Sequence, residues 1–518
     1  MPAPSHNVLH EETFPVNWLP GCTGPDRVGF HELLSRSHEI AGFAIAEPPA
    51  QAATLRVSYA LTARVTGLDE AGDDDWEERR DDIVETGRLP AEGIEEYLGR
   101  FEHRFFVFDP EGGRPWMQDP RLAEQCDPAN TAGVDKLIVT RPSGNNHAWF
   151  RHGSPHSPEL PTVSEAVLNM LIWHYYGPSG RCSSREVDGE KSASATAGPL
   201  RTALSYHPEG TSLFETLLAG LPKPPAGLRR AEDPCPWERE ELPDPTRAPE
   251  PPAGRCARLT GCSQHALLLV PDDNDPGLVA DAYITWAYRT GKIPRDDPFL
   301  IWQISQAGNR YPRPADSRRA LWRDLDALLL HGEVGTTRAQ RPVIFDTALD
   351  VSEDLRIRAL GFEQENQAKD IQFVDASTPP ILGYVEREAA HTAAPVAKLR
   401  DLGDMYGRRL SRAVRQAWLG YVDDPKNSSQ TWETEAEGRY WPRAEEIFWK
   451  HFRALGRDLD AEGSELDTVA ARKEFLALAF RVYEDVTATA FRTERGARAV
   501  VAARAEIYGG RRKKTKKA

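Results

Sequence analysis

Apolar and polar positions alternate along the first hundred residues in a mixture of helical and extended periods. Val57, Ala60, Leu61 and Val65 stand at i, i+3, i+4 and i+8, which predicts an amphipathic helix packing one face inward. The acidic run Asp73-Asp74-Asp75 breaks that period and marks a loop. His103 to Asp109 is short and rich in aromatics and predicts a buried strand, ended by the turn residues Pro110-Glu111-Gly112-Gly113. Lys136 to Val139 predicts a second strand, with a turn at Pro142-Ser143-Gly144-Asn145-Asn146. Residues 151–161, with three prolines and two histidines, predict an irregular loop. Thr162 to Tyr176 reads as a capped helix. A threonine stands at its start and Glu165 three residues on, followed by the stripe Val167, Leu168, Leu171, Ile172 and Tyr175.

Gly177 to Gly198 is polar and aperiodic. A structureless stretch longer than about 12–15 residues in a compact domain points to function or disorder. Pro222 to Pro252 carries ten prolines and many charges, so it predicts an extended surface connection rather than a strand or helix. Residues 256–376 return to mixed signals, strand-like at Phe299 to Gln303 and helix-like at Arg318 to Leu330. After Ser377-Thr378-Pro379-Pro380 the pattern becomes almost wholly helical as far as Tyr508. Phe448, Phe452 and Leu455, and likewise Leu476, Phe480 and Tyr483, stand at i, i+4 and i+7. Long amphipathic segments joined by polar turns such as Asp423-Asp424-Pro425-Lys426-Asn427 predict an up-and-down helical bundle. The fold class is therefore α+β: a large mixed α/β domain over 1–378, a helical bundle over 379–510, and a basic tail over 511–518.

Composition narrows the function. The 518 residues allow two to four domains at about 100–200 residues each. Hydrophobic residues make up 40% and charged residues 28%, as in an ordinary globular protein. Neither a secretory leader nor a run of about 20 apolar residues is present, and the six cysteines are scattered. The expectation is a cytoplasmic chain with reduced thiols and no membrane partner. The net charge of −15, from 64 Lys+Arg against 79 Asp+Glu, argues against a protein that coats nucleic acid unaided. Nucleic-acid contact would have to be local or shared with a basic partner. The tail Arg511-Arg512-Lys513-Lys514-Thr515-Lys516-Lys517 is either a phosphate contact or a solvated terminus.

Catalytic signatures are missing: no GxxxxGK[ST], no HExxH, no GxSxG. Cys256 and Cys262, with His265 nearby, match the spacing of structural zinc sites poorly, so no metal or cofactor is expected. His147, His152 and His156 cluster in one loop, with His174 on the next helix. This leaves an alternative open, a cytoplasmic metal-dependent hydrolase using the 147–174 region, although no carboxylate pair stands beside the histidines.

Several segments in order resemble the CasA family, the large subunit of the type I-E CRISPR Cascade surveillance complex. They are Phe14-Pro15-Val16-Asn17-Trp18-Leu19-Pro20, Gly29 to Leu34 with His38-Glu39-Ile40, Arg104 to Pro110, and Pro115-Trp116-Met117-Gln118. The resemblance implies that the bundle has four helices and that the chain is not catalytic. It implies work beside other Cascade subunits and a guide RNA, recognition of the protospacer-adjacent motif (PAM) in double-stranded DNA, help in strand opening, and recruitment of a helicase-nuclease. Within Gly361 to Ala368, Asn366 and Gln367 match the family's DNA wedge. Ala193, Ser194, Ala195 and Thr196 fall where the family has a glycine-rich, PAM-reading loop, with small residues in place of most glycines. Trp149 matches an aromatic that meets the guide RNA handle, and Arg318 and Arg319 are the nearest basic candidates for a minor-groove contact. The family's zinc cysteines have no convincing match here, so zinc is not expected.

Overall fold

The structure, a computed structural model, describes residues 5–70, 72, 75–109, 111–142, 159–291, 296–329, 339–352, 354–365, 369–384, 394–422, 430–455 and 466–509. They form two units: Met1–Ser317 with Pro342–Gly383, and Arg318–Arg341 with Tyr384–Ala518.

The first unit is organised around the helix Pro48–Thr66. Two prolines open it, where a missing N–H leaves nothing unsatisfied, and Gly67 at φ 68° ends it. The spacing of Val57 to Val65 predicts one inward face, but the helix is buried almost all round. Its threonine and serine hydroxyls and its arginines Arg56 and Arg64 have protein partners. The hydroxyls of Thr54, Ser58, Thr62 and Thr66 donate to the carbonyl four residues back at 2.9, 2.9, 2.8 and 2.7 Å. Arg56 donates to both oxygens of Asp297 at 2.8 and 3.0 Å, and Arg64 to both of Glu238 at 2.8 Å. Buried charges persist only when paired in this way.

Around this helix pack Ala91–Phe101, Val163–Tyr176, Leu213–Ala219, Arg255–Thr260 and the strand Arg356–Glu365. That strand is the middle of an antiparallel sheet with Leu204–Glu209 on one side and Lys369–Ser377 on the other. A second hairpin joins His265–Pro271 to Val279–Trp286. Near the N-terminus, Phe14–Trp18 pairs with Arg27–Val28 and Ile40–Phe43.

Four local expectations need correction. The strand predicted at His103 to Asp109 shrinks to Phe106–Phe108, because Glu102–Arg104 form a 3-10 turn. Lys136 to Val139 does not form a strand: Val134–Leu137 is a helical turn, and the Trp173 indole N–H donates to Leu137 O at 2.9 Å. Gly177 to Gly198 is not structureless; Gly180–Val187 and Glu190–Ala195 form an antiparallel hairpin. Its turn is Asp188-Gly189, at φ 53° and 77°, the left-handed pair that a tight two-residue hairpin demands. The proline-rich stretch 222–252 is not merely a surface connection. Cys235 and Trp237 are buried, and the Asp233 carboxylate accepts the Cys256 and Ala257 N–H groups at 2.9 and 2.7 Å, capping Arg255–Thr260.

In the second unit the helix Ala394–Tyr421 packs against Gln430–Ala454, Thr468–Thr487 and Glu494–Ala503. Phe448, Phe452 and Leu455 are buried as their spacing predicts. In Thr468–Thr487 the buried stripe is Phe475, Leu478, Ala479, Val482, Tyr483 and Val486, so Leu476 and Phe480 lie at its edge. The segment Arg318–Arg341 also belongs to this unit, apart from the division read near residue 378. It runs through a 3-10 turn at Leu321–Asp324 into the short helix Leu325–Leu329. Trp322 lies so close to Gly403 that a Cβ there would come within 2.6 Å of the indole. Arg323 stacks over Trp441 at 3.7 Å and pairs with Asp404 at 2.8 Å.

Candidate nucleic-acid interface

A helix ends with carbonyl groups that have no partner within it. The C-terminus of Val163–Tyr176 is where two candidate segments of the first unit are tied. The helix begins as the sequence predicts, with the Thr162 hydroxyl accepting the Glu165 N–H at 3.2 Å. At its other end Leu200 N–H donates to Tyr175 O at 2.8 Å, and Gly198 N–H to Gly177 O at 2.9 Å. Gly198 is required by this approach, because a Cβ there would lie 2.6 Å from Tyr175 O.

The carbonyl of Tyr176 accepts from Arg201 Nη1 at 3.1 Å and, more weakly, from Gln364 Nε2 at 3.5 Å. Gln364 donates to Asp370 Oδ1 at 2.7 Å and accepts the Thr202 N–H at 3.1 Å. Arg201 pairs with Asp370 at 2.9 Å, their side chains 3% and 8% exposed. Burial lowers the Arg201 pKa despite the neighbouring carboxylate, so desolvation outweighs the attraction. Its Nε and Nη2 are buried without a partner. Thr202 is held at φ 67°, in the left-handed region that a β-branched residue rarely adopts. Arg201, Gln364 and Asp370 thus form a buried polar base under the hairpin of Arg356–Glu365 and Lys369–Ser377, whose pairing runs to Glu365↔Lys369 with an irregularity at Glu363/Gln364.

Asn366 and Gln367 stand between those strands in sequence and lie outside the described residues, as does Trp149. Ala193, Ser194 and Ala195 close the strand Glu190–Ala195 rather than forming a loop; Ser194 pairs with Arg181 and Ala195 with Gly180. Thr196 follows, half-buried, two residues before Gly198. Tyr176 therefore anchors both segments, one just after Thr196 and one just before Asn366. Arg318 and Arg319 belong to the second unit. Arg318 is exposed, and Arg319 pairs with the buried Asp324 at 2.6 Å. Sequence reading missed Arg201, Gln364 and Asp370, which carry no motif; only the polar character of Gln364 and Asp370 inside otherwise strand-like runs hinted at them.

Of the histidines, His147, His152 and His156 lie outside the described residues. His174 is buried, with Nε2 2.8 Å from Met117 O and Nδ1 2.8 Å from Ser263 Oγ. A carbonyl can only accept, so Nε2 carries the proton. Desolvation lowers its pKa to about 4. His265 donates to Pro178 O at 3.0 Å, and burial takes its pKa to about 3. Among the described residues no group of three His, Cys, Asp or Glu could hold a metal ion, and no helix is long and apolar enough to cross a membrane.

These features define a two-unit α+β protein whose candidate site is built from small, amide and buried ion-paired side chains at one helix end. The chain belongs to the CRISPR-associated protein Cse1 family, which matches residues 7–482. The CRISPR-associated protein CasA/Cse1 of Thermus thermophilus is 26% identical over 497 residues, covering 90% of this chain and 92% of that one. A chain in a solved structure described as a CRISPR RNA-guided surveillance complex superposes with a TM-score of 0.84 at 35% identity, covering 98% of this chain and all of that one. Cse1 of Thermobifida fusca shares the fold at a TM-score of 0.74 and 20% identity, with 97% and 98% covered.

Proposed function

We propose that this chain is the large, non-catalytic subunit of a type I-E CRISPR surveillance complex. In that role it reads the PAM in duplex DNA, starts strand opening and recruits the helicase-nuclease. The observation that carries this is the end-to-end likeness to a chain of a CRISPR RNA-guided surveillance complex, at 35% identity and a TM-score of 0.84. Asn366 and Gln367 act as the wedge. An amide can enter a duplex and compete for base hydrogen bonds, and it carries no charge that would seek phosphate. Exchange of a DNA duplex for a guide–target heteroduplex is nearly balanced, so a few kcal/mol of local help nucleates it; that balance is established for a different RNA-guided effector. Ala193 to Thr196 present small side chains to the PAM. Trp149 stacks on the guide RNA, and Arg318 and Arg319 meet the DNA backbone or minor groove. The acidic balance of the chain, −15, suits a subunit whose partners supply most of the positive field.

The test is target-duplex binding by the guide-loaded complex, prepared with and without this chain, at one stated salt concentration. The duplexes carry either a permitted or a scrambled motif. Tighter binding confined to the permitted motif supports the proposal. A complex that does not incorporate the chain, or whose discrimination is the same without it, refutes it.

A further inference from the structure

In the first unit a cavity of about 130 Å³ is lined by Arg104, Arg114 and Arg121, by Trp237, Tyr288 and Ala287, and by His174 from the last turn of Val163–Tyr176. Three guanidinium groups and one carboxylate, Asp119, line it. Arg121 and Arg185 share Asp119, at 2.8 Å each. Among the described residues Arg104 reaches only the Glu240 carboxylate, at 3.9 Å, and that carboxylate is 95% exposed. Arg114 makes no ion pair among the described residues. Its Nη2 donates to the carbonyls of Pro236 and Arg239 at 3.0 and 2.8 Å, which fixes the plane of the group. Its Nη1 is buried and has no partner. Burial and the like charge of Arg104 both depress the Arg114 pKa, which marks an uncompensated cation. Arg114 lines the cavity without a carboxylate partner among the described residues, so its positive charge is available to an anion there. Met117, also in the wall, is held at φ 56°, and such strained positions concentrate at functional sites.

We infer that this cavity binds a small organic anion carrying one flat ring, the anionic group on Arg114 and Arg104 and the ring between Trp237 and Tyr288. The volume is that of a single ring; an apolar cavity of about 150 Å³ accommodates benzene. Aromatic carboxylates such as benzoate have this chemistry, whereas a nucleoside monophosphate exceeds the volume. Nothing in the wedge or PAM reading assigns the cavity a ligand, and the inference stands independently of that reading.

The experiment is calorimetric titration of the full-length chain with benzoate, adenosine monophosphate and inorganic phosphate in turn, at low salt. Arg114→Gln and Ala287→Leu are titrated alongside. The expected result is saturable binding of benzoate, with inorganic phosphate much weaker because it lacks the ring and adenosine monophosphate much weaker because it exceeds the cavity. Arg114→Gln should weaken binding roughly 10- to 100-fold, as loss of a charge-assisted hydrogen bond does. Ala287→Leu, which fills the cavity and leaves every arginine in place, should abolish it and so serves if Arg114→Gln fails to fold. The inference is overturned if benzoate does not saturate, if adenosine monophosphate or inorganic phosphate binds as tightly as benzoate, or if both variants bind as the parent does. Binding of the permitted duplex by the guide-loaded complex, measured in parallel, reports on the proposed function and not on the cavity.

Discussion

Replacing Asp370 by alanine removes the only ion-pair partner of Arg201 among the described residues and the stronger acceptor of the Gln364 amide, bonds of 2.9 and 2.7 Å. Arg201 would remain buried, its side chain 3% exposed, with Nε and Nη2 already unpartnered and only Tyr176 O at hand. Breaking a buried pair from one side costs about 3–5 kcal/mol, most of it the stranded charge. Asp370→Ala should therefore lower the unfolding free energy of the full-length chain by that amount, read as a lower urea midpoint at unchanged slope. Amide exchange should rise at Thr202, whose N–H rests on Gln364, and along the neighbouring residues 198–201. Replacing both partners, Arg201→Met with Asp370→Leu, should recover stability to within ~1 kcal/mol of the parent, because no charge is stranded. The pair also ties down the end of the strand Arg356–Glu365 through Gln364, and Asn366 and Gln367 follow that strand in sequence. The double variant, though stable, should still bind the permitted duplex more weakly in the guide-loaded complex. A stability loss under 0.5 kcal/mol for Asp370→Ala, with exchange at Thr202 unchanged, would falsify the reasoning.

Gly198→Ala places a Cβ 2.6 Å from Tyr175 O, and overpacking against backbone should cost about 1–3 kcal/mol. Thermal unfolding measures that cost, and weaker PAM discrimination should accompany it if residues 193–196 read the motif. Burial lowers the pKa of His174 to about 4 and of His265 to about 3, from an unfolded value near 6.5, so the unfolded chain binds more protons below that pH. The stability this confers is present above pH 6.5 and is lost as pH falls towards those folded values, at up to about 1.4 kcal/mol per pH unit for each histidine. Urea midpoints from pH 7 to 4.5 should show this, and His265→Phe should flatten the slope; an identical slope in the variant rejects the assignment. Gln367→Ala should leave assembly of the complex intact and markedly reduce engagement of the permitted duplex. Unchanged engagement would leave the chain an architectural subunit without a wedge.

The elements legible in the sequence were those whose stabilisation is local. Thr162 caps its own helix through a bond three residues away, so the start of Val163–Tyr176 could be read directly. The helices after residue 394 were legible because each carries its own apolar stripe, and Phe448, Phe452 and Leu455 fell where the period put them. The hairpin Gly180–Ala195 was legible in principle through Asp188-Gly189, but its polar strands hid it, because they lack the apolar alternation that usually announces a strand. Resemblance of ordered segments located the family, which the match over residues 7–482 shows.

What the sequence by itself determined, then, is the α+β class, the capped and striped helices, and membership of the family. Tertiary structure decided the rest, because it depends on partners far apart in the chain. The helix Pro48–Thr66 is central rather than superficial because Asp297 and Glu238 neutralise Arg56 and Arg64 from 241 and 174 residues away. Arg318–Arg341 joins the second unit because Trp322 and Arg323 meet Gly403, Asp404 and Trp441. The base of the candidate site exists only because Arg201, Gln364 and Asp370 converge on Tyr176. No local period encodes such a meeting; the free energy of burying a charge or an amide makes it obligatory once the chain has folded.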